Sequence, residues 1–186
     1  MDLGRATMDP SDTPLVRAAG GFRLSGFVGG PCQAHRMTSW SELAAAEPDF
    51  AARVRDRFGI AKHCTMATLR RDGSPRISGT EVEFGDDGLF IGSMSGAVKA
   101  LDLRRDPRVA VHSPTVDPTD DGTSWAGEAK LAGLAHEVGD PDRADESHRF
   151  RIDLIEVVLT RLGEPADHLV IESWHSDRGL ERRTRK

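Results

Sequence analysis

Four short strand-like segments separated by turns and a single helix fill residues 64–113, and this spacing does most to narrow the folds open to the chain. CTMATLRR, RISGTEVEF, LFIGS and VAVHS are rich in β-branched and apolar residues, as pleated half-buried surfaces require. Asp72-Gly73 marks a tight turn between the first two, and Gly85-Asp86-Asp87-Gly88 marks another before the third. These three predict an antiparallel meander, with LFIGS buried on both sides. WAGEAKLAGLAHEV reads as a fifth strand, and FRIDLIEVVLTRL and DHLVIESWH as the last two. Helices are too few for repeated βαβ units, so the expected fold is mainly β (α+β), an antiparallel barrel of six to seven strands with flanking helices.

The helical segments carry their own signals. Ser39 followed by Glu42 is a capping box ahead of the helix formers LAAAE, and Pro48 interrupts the run while being tolerated in a first turn. PDFAARVRDRFG then sets Phe50, Val54 and Phe58 on one stripe closed by Gly59. SGAVKALDLRRDP reads as a helix with Ser95 as N-cap, Arg104 and Arg105 in its last turn and Pro107 as its stop.

Residues 1–36 contain six Gly and three Pro with no lasting period, which favours disorder and makes a chain starting at Met37 sufficient to fold. Residues 37–176 are then one domain, with 177–186 as a basic tail. The run RGLERRTRK carries five basic groups and one Glu against a whole-chain net charge of −5, and reads as a solvated, frayed terminus. Nucleic-acid binding gains little from it. With no tyrosine and 5% aromatic residues, the core must rest on Val, Leu, Ile, Ala and the seven Phe. No apolar run reaches membrane-span length and no secretory leader is evident, which predicts a cytoplasmic protein without membrane partners. Cys32 and Cys64 lack metal-ligand spacing and are expected as free thiols, with no metal site.

The chemistry concentrates in PRISGTEVEFGDDGLFIGSMSGAVKALDLRRDPRVAVHS, where a strand ends in a Ser-rich turn that opens a helix bearing Lys99. Orphan N–H groups at a helix start attract an anion, Ser93 and Ser95 can donate hydroxyl hydrogen bonds, and Lys99 adds a full charge. Arg76 on the neighbouring strand supplies a second cation with planar donors. Ser78 and Thr80 on that strand complete the candidate cofactor-binding set of Arg76, Ser78, Thr80, Ser93, Ser95 and Lys99. No residue is singled out as catalytic.

ATLRRDGSPRIS and GSMSGAVKALDLRRDPRVAVHS resemble the flavin-binding core of the pyridoxamine 5'-phosphate oxidase-like family, over about residues 40–175. FRIDLIEVVLTRLGEPADHLVIESWH resembles actinobacterial-type members. The resemblance implies a split β-barrel homodimer binding FMN in a groove at its interface, with Arg76 and Lys99 as phosphate ligands. It also implies an oxidoreductase acting on a small molecule. Two departures stand out. The Ser and Arg expected before Lys99 are Ala97 and Val98, and the Lys expected five residues after Arg76 is Glu81, a carboxylate opposing an anionic reduced flavin. Pyridoxamine phosphate oxidation is therefore disfavoured. A deazaflavin coenzyme, which relatives hold in the same barrel with a different basic set, is the alternative cofactor.

Other residues carry weaker signals. His112, His136, His148, His168 and His175 are candidates for a proton donor or a haem ligand, with a structural role as the commoner fate of such residues. Trp125 and Trp174 suit ring stacking or, more commonly, a core or dimer-interface role. Glu81, Glu83 and Glu156 offer carboxylates. No Ser-His-Asp order, phosphate-binding Walker loop or dinucleotide glycine motif occurs, which sets hydrolase and Rossmann readings aside. The rival from another class is a non-catalytic cofactor- or haem-binding module on the same barrel.

Overall fold

The computed structural model describes residues 37–139 and 147–186. The N-terminal extension, Cys32 and most of the polar connector after Val138, for which the sequence carries expectations, lie outside them. Chain order is α1 (Trp40–Ala46), α2 (Pro48–Phe58), β1 (Cys64–Leu69), β2 (Pro75–Thr80), β3 (Val82–Gly85), β4 (Gly88–Ser93), α3 (Val98–Arg105), β5 (Arg108–His112), β6 (Glu128–Val138), β7 (His148–Leu162), β8 (Leu169–His175) and β9 (Gly179–Arg185). All strand pairs are antiparallel, in the order β2-β1-β5-β6-β7-β4-β3, with β8 and then β9 branching from β7. The chain thus forms a mainly β split barrel, with nine strands among the described residues instead of six to seven.

The split originates in β7. Its first residues pair with β4 (Leu89↔Ile152 to Ser93↔His148) and its later ones with β8 (Glu156↔His175 to Leu162↔Leu169), so one long strand serves two partners along the same edge. Between the two stretches the register with β6 slips, Ala132 facing Glu156 and Gly133 facing Leu154. Such a bulge bends a strand and redirects it. A Cβ at Gly133 would come within 2.1 Å of the Asp153 carbonyl oxygen, so only glycine permits the close approach.

The meander expected from the first three strands is instead two hairpins on opposite edges of the sheet. RISGTEVEF breaks at Glu81 because β2 pairs with β1 while β3 pairs with β4. Local pattern is continuous across the break; the change of partner is a long-range event that β-propensity does not report. The Asp72-Gly73 turn is present, with Gly73 at φ 82° and the Asp72 carboxylate accepting from Ser74 N and Oγ at 3.0 and 2.7 Å. LFIGS is buried through Ile91, as a strand packed on both faces should be.

The Ser39–Glu42 capping box opens α1, with Ser39 N donating to Glu42 Oε2 at 2.8 Å and Glu42 N to Ser39 Oγ at 3.2 Å. Pro48 starts α2, whose Phe50, Val54 and Phe58 are all buried. Trp40 and Phe58 close on Phe84 of β3, at ring-centroid distances of 4.6 and 5.6 Å, which locks the helical pair onto the β3–β4 edge. Thr38 and Leu154 exchange backbone hydrogen bonds and fix the approach to α1 against β7. The C-terminal run expected to fray is β9, paired residue by residue with β8. A run of exposed residues, Arg182 to Arg185, disguises it, since an edge strand tolerates charge on its open side. No helix among the described residues is long and apolar enough to cross a membrane.

Candidate functional site

Where β2 hands over to β3, facing the end of β4 and the start of α3, the molecule carries a cavity of about 780 Å³. Its walls include Thr80, Glu81, Glu83, Ser93, Ser95, Lys99 and Arg149. The chain break at Glu81 and the turn between β4 and α3 create it, because both hairpins leave their partner strands at that point.

Lys99 sits in the first turn of α3, and its Nζ donates to the Gly79 carbonyl at 2.6 Å. Burial pushes its pKa down while the Glu81 carboxylate opposes that shift. The N-cap is Ala97, not Ser95; Ala97 has no side-chain cap, and Ala100 N and Leu101 N both donate to its carbonyl. The N–H groups of Val98 and Lys99 thus precede the helical ladder and carry the positive end of the helix dipole. Ser95 lies in the preceding turn, exposed on the cavity wall. The Ser93 hydroxyl is buried without a hydrogen-bond partner among the described residues, and Thr80 is buried with its Oγ1 3.5 Å from the Glu81 carbonyl.

The structure separates Arg76 and Ser78 from this group. Arg76 lines a second, shallower depression with Arg70, Arg71, Val98, Leu101 and Arg105, and its Nε donates to Asp102 Oδ2 at 2.5 Å. Asp102 is 2% exposed and also accepts from Arg105 at 2.8 Å and Thr68 at 3.1 Å. Burial pushes its pKa up, but the hydrogen bonds from Arg105, Arg76 and Thr68 outweigh that and hold it below the usual carboxylate range. Ser78 is half-buried opposite Met66 and lines neither depression.

Sequence reasoning missed Arg149, which lies over the Phe90 ring at 4.1 Å and donates to Glu83 at 3.2 Å. The alternation in HRFRID was the available signal, since it sets His148, Phe150 and Ile152 on one face and both arginines on the other. Glu81 faces Lys62 at 3.2 Å and His63 at 3.8 Å. Each cavity carboxylate therefore has its own cation. Neither Trp125, whose Nε1 donates to the Val116 carbonyl, nor the core residue Trp174 lines the cavity. Cys64 is a buried free thiol whose pKa burial raises. Among the described residues no His, Cys, Asp and Glu gather in a metal-binding group.

No protein-family model matches the sequence, and neither does any curated protein. Solved structures do share the architecture. A pyridoxamine 5'-phosphate oxidase-related FMN-binding protein from Nostoc punctiforme superposes with a TM-score of 0.53 at 12% identity, over 78% of this chain and 99% of that one. PhzG from Burkholderia lata, in complex with tetrahydrophenazine-1-carboxylic acid, gives a TM-score of 0.54 at 10% identity, over 77% and 91%. A haem-binding protein from Mycobacterium smegmatis gives 0.49 at 17% identity, over 68% and 58%. This chain spans 56% of the length of Atu2129 from Agrobacterium tumefaciens, a protein of unknown function that it matches at 18% identity and a TM-score of 0.48. The chain has the fold of the pyridoxamine 5'-phosphate oxidase-related FMN-binding proteins.

Proposed function

We propose that the cavity holds the phosphorylated tail of FMN, or of a deazaflavin coenzyme, and that the protein is an oxidoreductase acting on a small molecule. The observation that carries the reading is the convergence of Lys99, the uncapped start of α3 and a partnerless Ser93 hydroxyl on one cavity of about 780 Å³. That volume lies within the roughly 300–1,000 Å³ of cofactor and ligand sites. The residues fit the group: Lys99 and the N–H groups of Val98 and Lys99 would hold phosphate. Ala97 and Val98 contribute no side-chain donor, which leaves Lys99 as the full charge at that end. A flavin or deazaflavin supplies hydride transfer when bound, and the protein supplies orientation and electrostatics.

The reading includes a homodimer. Met94 at the cavity is 82% exposed, and Val98 and Leu101 on α3 are 53% and 50% exposed, an apolar rim that a second copy would cover. Light scattering should give twice the chain mass at micromolar concentration; a clean monomer mass would contradict it. The cofactor is tested by the absorbance of purified protein and by titration with FMN. A flavin or deazaflavin band supports the proposal, whereas a Soret band with no flavin uptake would replace it by a haem-binding module.

A further inference from the structure

Gly92 of β4 and Arg149 of β7 face each other in register, so the arginine side chain and the place of the missing one lie on the same face of the sheet. β3 pairs with β4 only as far as Val82↔Ile91, which leaves Gly92 on the cavity wall past its end. Neither backbone nor packing calls for glycine at this position: its φ is not positive, and a Cβ there would meet nothing within 4 Å. Gly79, also on the wall, matches it on both counts. A strand glycine with neither reason marks a place where something else approaches the backbone closely.

Arg149 is positioned but not saturated. Its Cζ lies 4.1 Å over the Phe90 ring, and its one hydrogen bond among the described residues runs from Nη2 to Glu83 at 3.2 Å. The arginine side chain is 26% exposed and the glutamate 68%, so the pair is a single contact screened by water. A guanidinium can instead hold a carboxylate through two parallel N–H donors. A ligand carboxylate that displaces Glu83 into water replaces like with like: the charge beside Arg149 is unchanged while the hydrogen bonds to it increase. A dianion would gain less there, because Glu81 and Glu83 line the same cavity.

We propose that Arg149, Phe90 and Gly92 form a carboxylate subsite, and that the small molecule acted on is an organic acid with a flat skeleton. Phe90 orients the guanidinium, the bare wall at Gly92 admits the skeleton, and Glu83 occupies Arg149 until the acid arrives. Two anions are then divided between two cations, phosphate to Lys99 and the acid to Arg149. The inference rests on the reading of this cavity as the site of an oxidoreductase and names the class of its substrate.

The test titrates benzoate, and its neutral analogue benzamide, calorimetrically into the full-length protein without FMN. Benzoate should bind at least about tenfold more tightly than benzamide, and Arg149→Gln should lose about tenfold for benzoate, as expected for a charge-assisted contact. Gly92→Leu keeps the arginine and suits a strand backbone, so it carries the test should Arg149→Gln fail to fold; it should lose a similar factor by filling the space. Glu83→Gln removes the competitor and should tighten benzoate binding about two- to fivefold. Lys99→Ala should stay within about twofold of wild type, since the acid does not sit there. Absence of saturable benzoate binding, equal affinity for benzamide, indifference to Arg149→Gln or Gly92→Leu, no gain in Glu83→Gln, or a larger loss in Lys99→Ala overturns the proposal. Benzoate bound through Arg149 in a protein that takes up no FMN would refute the cofactor reading and leave this subsite standing.

Discussion

The two sides of α3 use cations in opposite ways. On one side Lys99 reaches a neutral carbonyl at the edge of an open cavity, so its charge has no full counter-charge in contact. On the other, Arg76 and Arg105 close on the buried carboxylate of Asp102, three residues along the same helix. A cation paired with a buried carboxylate is a structural strut, and one resting on a carbonyl is available to an anion. Sequence spacing made Arg76 and Lys99 look alike; the partner of each tells them apart.

Removing the strut should have the largest effect. Asp102→Ala strands two guanidinium groups and the Thr68 hydroxyl, and we expect a loss of about 2–3 kcal/mol in denaturant unfolding, below the figure for fully buried pairs because the arginines are partly exposed. The folded-state pKa of Asp102 is depressed, so its contribution is present above the unfolded value near ~4 and is lost as pH falls through the folded one. Stability between about pH 5 and 2 should therefore fall less steeply in the variant than in wild type.

Arg76→Ala should cost less, about 1–2 kcal/mol, because Asp102 keeps Arg105 and Thr68. If unfolding were unchanged while FMN affinity fell tenfold, Arg76 would be a ligand residue after all.

The smallest effect belongs to Arg108→Ala. Hydrogen bonds from Arg108 hold Asp106 at about 2, a deeper value than the pairing would suggest for so open a site, since the Arg108 side chain is 66% exposed. Solvent and salt screen such a pair, and the expected change lies within the scatter of repeated denaturant unfolding and vanishes in high salt. A loss as large as that at Asp102 would show that burial is not what separates the two carboxylates.

Much of the fold was legible because its signals are local. The Ser39–Glu42 box, the Phe50, Val54 and Phe58 stripe, the Asp72-Gly73 turn and the stop at Pro107 each depend on residues a few positions apart. What escaped depends on distant partners. Glu81 interrupts a strand only because β3 has its partner in β4, and the arginine-rich terminus becomes β9 only because β8 offers an edge. The site was legible in part for the same reason. Thr80, Ser93, Ser95 and Lys99 flank one cavity, whereas the diversion of Arg76 by Asp102 needs the packing of α3 on β1 and β2 to be known. A carboxylate within LDLRR was the only hint.

The most direct test of the account is one calorimetric comparison, titrating FMN and the deazaflavin coenzyme into wild type, Lys99→Ala and Arg76→Ala. A charge-assisted phosphate contact contributes on the order of 1.5–3 kcal/mol, so Lys99→Ala should bind roughly ten- to a hundredfold more weakly while its fold survives. Arg76→Ala should bind within about twofold of wild type, since its charge already has a carboxylate partner. Equal affinity in wild type and Lys99→Ala, or a larger loss in Arg76→Ala, would contradict the account and place the phosphate on the arginine side of α3.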